Sequence, residues 1–114
     1  MDVQLVDSVE ALAWLEQEDG KERAISESSE QQIAGDDLLR LVRELYAAGA
    51  LEVRAVGLEV MDDFEDGNAL EITLPQDREE RRALFAIQSR VLRDIESVYD
   101  QDEEHGQASI GIAW

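Results

Sequence analysis

The run Asp62-Asp63-Phe64-Glu65-Asp66-Gly67 gathers side-chain oxygens of the kind that bind calcium in proteins. An EF-hand loop needs oxygen ligands at positions 1, 3 and 5, a glycine at position 6 and a glutamate at position 12. Counted from Asp62, Gly67 fits position 6, but Phe64 stands at position 3 and Thr73 at position 12. Because two required ligands are absent, we interpret the run as a solvated acidic loop without a metal ion.

Few residues of this chain could carry out other catalytic chemistry. It has one histidine, His105, which follows Glu103 and Glu104, and it has no cysteine. A transition-metal site needs a second imidazole or a thiolate, and a catalytic serine needs an activating base. The sequence contains no phosphate-binding glycine loop and no G-x-S-x-G motif. We therefore expect a protein that is not an enzyme and that uses no metal and no cofactor.

The net charge excludes two classes of partner. The 114 residues include 28 acidic and 10 basic side chains, which gives a formal net charge of −18 at pH 7. Nucleic acids and anionic membranes attract basic surfaces, so neither is expected to bind. No apolar run approaches the ~20 residues of a membrane-spanning helix, and the first residues lack the pattern of a secretory signal. These features predict a cytoplasmic location.

Two amphipathic helices are the main elements that must position the acidic residues. The spacing of apolar residues predicts helices over 36–48 and 78–98, with Asp36 and Asp77 as their N-caps. A shorter accessory helix is predicted over 8–18. The apolar stripes of the two longer helices consist of Leu38, Leu41, Val42 and Leu45, and of Leu84, Ile87, Val91, Ile95 and Val98.

Strands are predicted where apolar and polar residues alternate or where β-branched residues concentrate. The segments are 22–27, 51–60, 69–74 and 107–113. The first of these depends on Ile25 and on the order of the surrounding elements. Within the second, the apolar positions shift by one residue at Gly57, which predicts a β-bulge. The segments 28–35, 61–68 and 99–107 are interpreted as loops.

The element order predicts an α+β fold in a single domain, 1–114. After the accessory helix at 8–18, residues 22–114 follow the order strand, helix, strand, strand, helix, strand. That order is typical of a ferredoxin-like two-layer sandwich (β-α-β-β-α-β), with two helices covering one face of a four-stranded antiparallel sheet. If 22–27 is not a strand, the alternative is a three-stranded α-β-β-α-β fold.

The ferredoxin-like topology would bring three loops to one end of the sheet. Carboxylates of the loops 61–68 and 99–107 would then form a partner-binding patch, with Asp36 and Asp37 close by. Trp114 is added to this hypothesis, because exposed aromatic residues are enriched in interfaces. The loop residues concerned are Asp62, Asp63, Glu65, Asp66, Asp100, Asp102, Glu103 and Glu104.

From residue 38 to its end, the chain resembles a set of small uncharacterised bacterial proteins. The shared features are an LYxxGA pattern at a helix-to-strand turn, LPxD at a strand-to-helix turn, and GQ before the last strand. In this sequence they are Leu45-Tyr46, Gly49-Ala50, Leu74-Pro75, Asp77, the helix residues Arg82, Leu84 and Phe85, and Gly106-Gln107. The resemblance implies the element order and no activity, because these motifs are turns and caps.

Two functional hypotheses follow from the sequence. The first is a small, acidic, non-catalytic interaction module that binds a basic protein partner through the acidic loops. The alternative is a ligand-sensing regulatory domain, in which the fold dimerises and holds a small molecule at the interface. The alternative depends on analogy with ferredoxin-like domains alone. Either a monomer or a homodimer is compatible with the sequence.

Overall fold

The computed structural model describes residues 4–27 and 31–114 as a mixed α+β fold. Within these ranges it contains a seven-stranded sheet and three helices. In chain order the elements are β1 (Gln4–Glu10), α1 (Ala11–Leu15), β2 (Glu22–Ser26), β3 (Gln32–Ala34), α2 (Gly35–Ala47), β4 (Glu52–Val60), β5 (Phe64–Gly67), β6 (Ala69–Thr73), α3 (Arg78–Asp94) and β7 (Ser109–Ile112).

The N-terminal segment differs from its prediction. Residues 4–10 pair antiparallel with β4, so the helix predicted over 8–18 shortens to α1. Glu10 caps this helix, because its carboxylate accepts hydrogen bonds from the backbone N–H groups of Leu12 and Ala13 at 2.9 and 2.7 Å. Strand pairing with β4 overrides the local helix preference of the segment, as tertiary contacts commonly do.

β4 lies in the interior of the sheet. One of its edges pairs with β1, and the other pairs first with β6 and then with β5. Val56 lies opposite Ala69 and Glu59 lies opposite Asp66, so β5 and β6 keep one register and act as a single interrupted strand. The far edge of that strand is shared, since β5 pairs with β2 and β6 pairs with β7. β3 extends the sheet beyond β2.

The α+β class and the strand at 22–27 are confirmed, since β2 spans Glu22–Ser26. The ferredoxin-like topology is not confirmed. β2 runs parallel to β5, whereas that topology needs it antiparallel to the third strand and next to the last one. β7 pairs with β6 instead. The three-stranded alternative does not describe this larger sheet either.

Two predicted loops contain short strands. Residues 32–34 form β3, and residues 64–67 form β5; residues 28–30 of the predicted loop 28–35 lie outside the described ranges. Neither segment alternates apolar and polar residues clearly. β5 nevertheless pairs with β2 on one edge and β4 on the other, so its backbone groups are hydrogen-bonded by its neighbours.

At Gly57 the alternation of inward and outward side chains is interrupted in three neighbouring strands. We call this interruption the crease. The side chains that face the core change parity between Ala55 and Leu58. The register with both neighbours is the same before and after this point, so no extra residue is inserted and the predicted β-bulge is wrong. Instead, Asp7 and Asn68 stand at the matching positions of the neighbouring strands. Gly57 has φ +65°, and a Cβ there would collide with the Asn68 side-chain nitrogen.

The core lies between the sheet and the helices. The predicted core residues Leu84, Ile87, Val91, Leu70, Ile72 and Ile110 are all buried in one cluster. α2 matches its predicted range closely, but its N-cap is Ala34 rather than Asp36. Asp77 caps α3 as predicted, accepting a hydrogen bond from the Glu80 backbone at 2.9 Å.

α3 ends at Asp94, four residues before its predicted end. Glu96 has φ +53°, a left-handed conformation that stops the helix. The Ser97 hydroxyl then donates to the carbonyl of Ala113 at 2.6 Å, which ties the segment after the helix to the last strand. Val98 is 87% exposed, so its assignment to the apolar stripe is wrong. None of the three described helices is long and apolar enough to cross a membrane.

Candidate functional site

The structure does not bring the two predicted acidic loops together. Residues 61–63 form the turn that follows β4, whereas residues 95–108 fold back along α3. Arg81, in the first turns of α3, binds Glu104 and the carbonyl of Gln107. This places Glu104 and the end of the second loop near the beginning of β4, so most of β4 separates them from residues 61–63. At roughly 3.3 Å per residue, that distance is too long for a single patch.

Four of the predicted partner-binding acids have partners within the chain. Asp66 accepts a hydrogen bond from the Ser26 hydroxyl at 2.6 Å, and burial raises the pKa of its carboxyl. Asp102 is held by the Gln88 side chain, which is 1% exposed and donates to Asp102 at 2.7 Å. The other two are Glu65, described below, and Glu104.

Glu104 anchors its loop to α3. The Arg81 guanidinium contacts its carboxylate at 2.9 Å and lowers its pKa through this hydrogen bond. Arg81 also donates to the carbonyl of Pro75 at 3.1 Å. Three contacts from one guanidinium therefore join α3, the segment before it and the loop after it. These contacts explain the position of Glu104 without a partner protein.

The remaining predicted residues are exposed to different degrees. Asp62, Asp63, Asp100 and Glu103 are exposed, and their carboxylates form no hydrogen bond or ion pair within the described ranges. Asp63 accepts through its carbonyl from the Glu22 backbone at 3.1 Å, which joins the turn to the start of β2. Trp114 is half-buried and packs against the core.

An ion-pair network under α1 was not anticipated by the sequence analysis. Arg23 is only 5% exposed. Its guanidinium donates to Asp19 at 2.6 and 2.9 Å, to Glu65 at 2.7 Å and to Gln17 at 2.9 Å. The hydrogen bond from Arg23 holds the pKa of Asp19 well below its usual range. A buried guanidinium is tolerated because carboxylates compensate its charge.

Glu65 joins this network to α1. The Trp14 indole donates to one Glu65 oxygen at 3.4 Å, and the Lys21 ammonium lies 3.7 Å from the other. Trp14 itself is 2% exposed, so this contact lies inside the fold. One polar atom of the network has no hydrogen-bond partner among the described residues, the Nε of Arg23. The sequence carries one signal for the network, the i,i+4 spacing of Asp19 and Arg23.

Arg23 also lines a surface groove of about 520 Å³, which we call the acidic groove. It lies between the start of α2, the start of β2 and the end of α1. Its apolar side chains are Leu15, Leu39 and Phe64, and its charged side chains are Lys21, Glu22, Arg23 and Asp36. Asp36 and Phe64 both line this groove, whereas the predicted cluster of Asp36 and Asp37 with both acidic loops does not form.

A second cavity, of about 740 Å³, lies beside the first turns of α3. Arg78, Arg81 and Arg82 line it, together with Phe85 and the acidic loop 101–104. We call it the arginine cavity. Arg81 is engaged by Glu104, but Arg78 and Arg82 form no ion pair in the described part of the chain.

Comparisons with known proteins provide no assignment for these sites. No protein-family model, no curated protein and no solved structure matches the chain. Residues 4–27 and 31–114 also contain no group of three or more His, Asp or Glu side chains placed to hold a metal ion. The residues that line the two sites therefore define their chemistry.

Proposed function

We propose that this chain is a non-catalytic interaction module that binds a basic protein partner at the acidic end of β4. The observation that supports it is that most basic side chains already form ion pairs within the chain. At least seven of the ten form ion pairs within the chain: Lys21, Arg23, Arg40, Arg43, Arg54, Arg81 and Arg90. The exposed carboxylates of Asp62 and Asp63 have no such counter-charge among the residues that the structure describes.

A surface of this kind acts mainly on the rate of association. Uncompensated carboxylates attract a basic protein over distances of about a Debye length, which is ~8 Å at physiological ionic strength. Charges at the rim of an interface raise the association rate and make it sensitive to salt. The non-catalytic part of the proposal is supported by Glu65, the most buried carboxylate described, because Arg23 and Lys21 neutralise it.

The test is affinity capture with matched variants. The wild-type chain is immobilised and proteins of a bacterial lysate are captured and identified by mass spectrometry. We expect the wild type to capture a restricted set of basic proteins. The variant Asp62→Asn/Asp63→Asn should no longer capture them, whereas Glu79→Gln/Glu96→Gln should still do so. All four side chains are exposed, so each variant changes charge without disturbing the core. Equal losses from both variants would reduce the acidic turn to solubilising surface.

The arginine cavity favours a second candidate function, a ligand-sensing domain that acts as a dimer. Arg78 and Arg82 offer two guanidinium groups beside Phe85 in a cavity of about 740 Å³, which is within the size range of small-molecule sites. A carboxylate or phosphate ligand would fit these groups. A thermal-shift screen of small anions tests this function. A stabilising anion should lose its effect in Arg82→Gln and should shift the sedimentation coefficient of the wild-type chain.

A further inference from the structure

We propose that the acidic groove is the contact site for an extended basic segment of the partner, with an apolar side chain of that segment inserted between its basic ones. This inference rests on the proposed binding of a basic protein. It adds a location and a recognition chemistry to that function. Two independent features of the groove carry it: its apolar surface and its unbalanced carboxylates.

The apolar surface comes from three different elements. Leu15 ends α1, Leu39 belongs to the first turns of α2 and Phe64 begins β5. Each of these three side chains is only half-buried, so part of its apolar surface remains in contact with water. A groove of about 520 Å³ with such a surface can receive one apolar side chain and the backbone on either side of it.

The charges of the groove select a cationic segment. Lys21 and Arg23 line it, but both are engaged by Glu65, and Arg23 also by Asp19. In contrast, the carboxylates of Glu22 and Asp36 are exposed and have no hydrogen-bonding or ion-pair partner among the residues described.

The neighbouring turn adds two more carboxylates of the same kind. Asp62 and Asp63 are exposed and unpaired within the described ranges, and the Asp63 carbonyl is bonded to the backbone of Glu22. The groove and the turn therefore form one continuous acidic surface. Lysine or arginine side chains flanking an apolar residue would meet carboxylates on both sides of the apolar contact.

The apolar side chains indicate that the occupant is a peptide rather than a free cation. An inorganic cation would satisfy the carboxylates of Glu22 and Asp36 and leave Leu15, Leu39 and Phe64 in contact with water. An apolar side chain of a basic peptide would cover this surface, while its lysine or arginine neighbours meet the carboxylates.

The experiment measures fluorescence anisotropy of two labelled synthetic peptides with equal charge. In one peptide lysine alternates with leucine, and in the other lysine alternates with serine. We expect the wild-type chain to bind the leucine peptide about tenfold more tightly, since its apolar side chains reach Leu39 and Phe64. Glu22→Gln/Asp36→Asn should weaken both peptides, and Leu39→Ala should remove the preference for leucine while leaving the serine peptide unchanged.

Two controls separate this inference from the proposed function. Glu79→Gln/Glu96→Gln removes the same charge far from the groove, and Val98→Ala removes an exposed apolar side chain. Both should bind like the wild type. If the two charge variants lose affinity equally, the groove is not the site, although binding of basic segments stands. If the wild type binds neither peptide, the proposed function itself fails.

Two further measurements keep the test decisive. Circular dichroism of each variant verifies that it is folded, and any variant that unfolds is replaced by Leu39→Gln or by Glu22→Gln alone. Sedimentation equilibrium tests the competing occupant, a second copy of this chain. A dimer that dissociates in Leu39→Ala would overturn the proposal, because the apolar surface would then belong to self-association. A monomer at all concentrations supports a separate partner.

Discussion

The Tyr46 hydroxyl lies 2.5 Å from the Glu10 carboxylate and joins α2 to the end of β1. The same hydroxyl accepts a hydrogen bond from the backbone N–H of Val53 at 2.9 Å. Glu10 in turn caps α1 through two backbone N–H groups. One side-chain pair therefore connects four elements: β1, α1, α2 and β4. A single hydroxyl group completes this connection.

Removing that hydroxyl should destabilise the fold. Tyr46→Phe leaves the backbone N–H of Val53 without its acceptor. An unsatisfied buried donor costs about 1–3 kcal/mol. Urea unfolding followed by circular dichroism measures the change. Tyr99→Phe is the control, because Tyr99 is 60% exposed and its change should have no effect. Equal stability of both variants would show that water replaces the Tyr46 hydroxyl fully.

Asp66→Asn should stabilise the chain at neutral pH by about 0.2–1 kcal/mol. Burial raises the pKa of Asp66, and Glu59, directly opposite on β4, raises it further. Ionisation of Asp66 therefore costs stability as the pH rises above its usual pKa of 3.8. Asparagine keeps an acceptor for Ser26 and removes this cost. Thermal unfolding from pH 7 to pH 3 should show the advantage of the variant shrinking, and a constant advantage would mean that ionisation of Asp66 is not its cause.

Glu65→Ala should cost about 1–3 kcal/mol, because the Trp14 indole loses its acceptor and Arg23 keeps only Asp19 as its counter-charge. The double variant Arg23→Met/Glu65→Leu should recover most of this loss, since no buried charge remains. Guanidinium unfolding monitored by tryptophan fluorescence measures both. Glu16→Ala breaks the exposed pair with Arg43, 3.5 Å apart, and should change stability by less than about 1 kcal/mol.

Salt should stabilise the folded chain. At a net charge of −18 the folded state holds its carboxylates closer together than the unfolded chain does, so repulsion opposes folding. Added ions shorten the Debye length from about 30 Å at 0.01 M to about 8 Å at 0.15 M. The melting temperature should rise over this range, and a falling curve would mean that the ion pairs outweigh the repulsion.

Ile87→Ala should cost roughly 2–5 kcal/mol, because it opens a cavity in the core. Val98→Ala should cost almost nothing, since Val98 lies beyond the end of α3 and is exposed. The two residues belong to one apolar stripe in the sequence, so the comparison measures where the helix ends. A similar loss in both variants would place Val98 in the core.

The longer helices could be predicted because their signals are local. Leu38, Leu41 and Leu45 repeat at helical spacing, and the Asp77 cap is a short-range pattern. β1, β3 and β5 could not be predicted in the same way. β3 and β5 have only three and four residues, and β1 overlaps the segment predicted as a helix. β1 is held by β4, and β5 by β2, both far away in the chain.

The candidate site shows the same division between local and long-range information. The exposure of Asp62 and Asp63 in a polar turn followed from composition, whereas the burial of Glu65 depends on Arg23, forty-two positions away. The assumed topology also placed loop 99–107 beside loop 61–68, because it ran the last strand parallel to the third, whereas β7 is antiparallel to β6. The acidic groove depends on α1, β2, α2 and β5 together, and no single segment of the sequence carries a signal for it.

The crease at Asp7, Gly57 and Asn68 limits how this chain can change its length during evolution. A residue inserted into β4 alone at Gly57 would shift half of this strand by one position relative to β1 and to the β5–β6 strand. The register would be kept only if β1 and the β5–β6 strand gained a residue at the matching positions. In an alignment of homologous sequences, gaps at these three sites should therefore occur together or not at all.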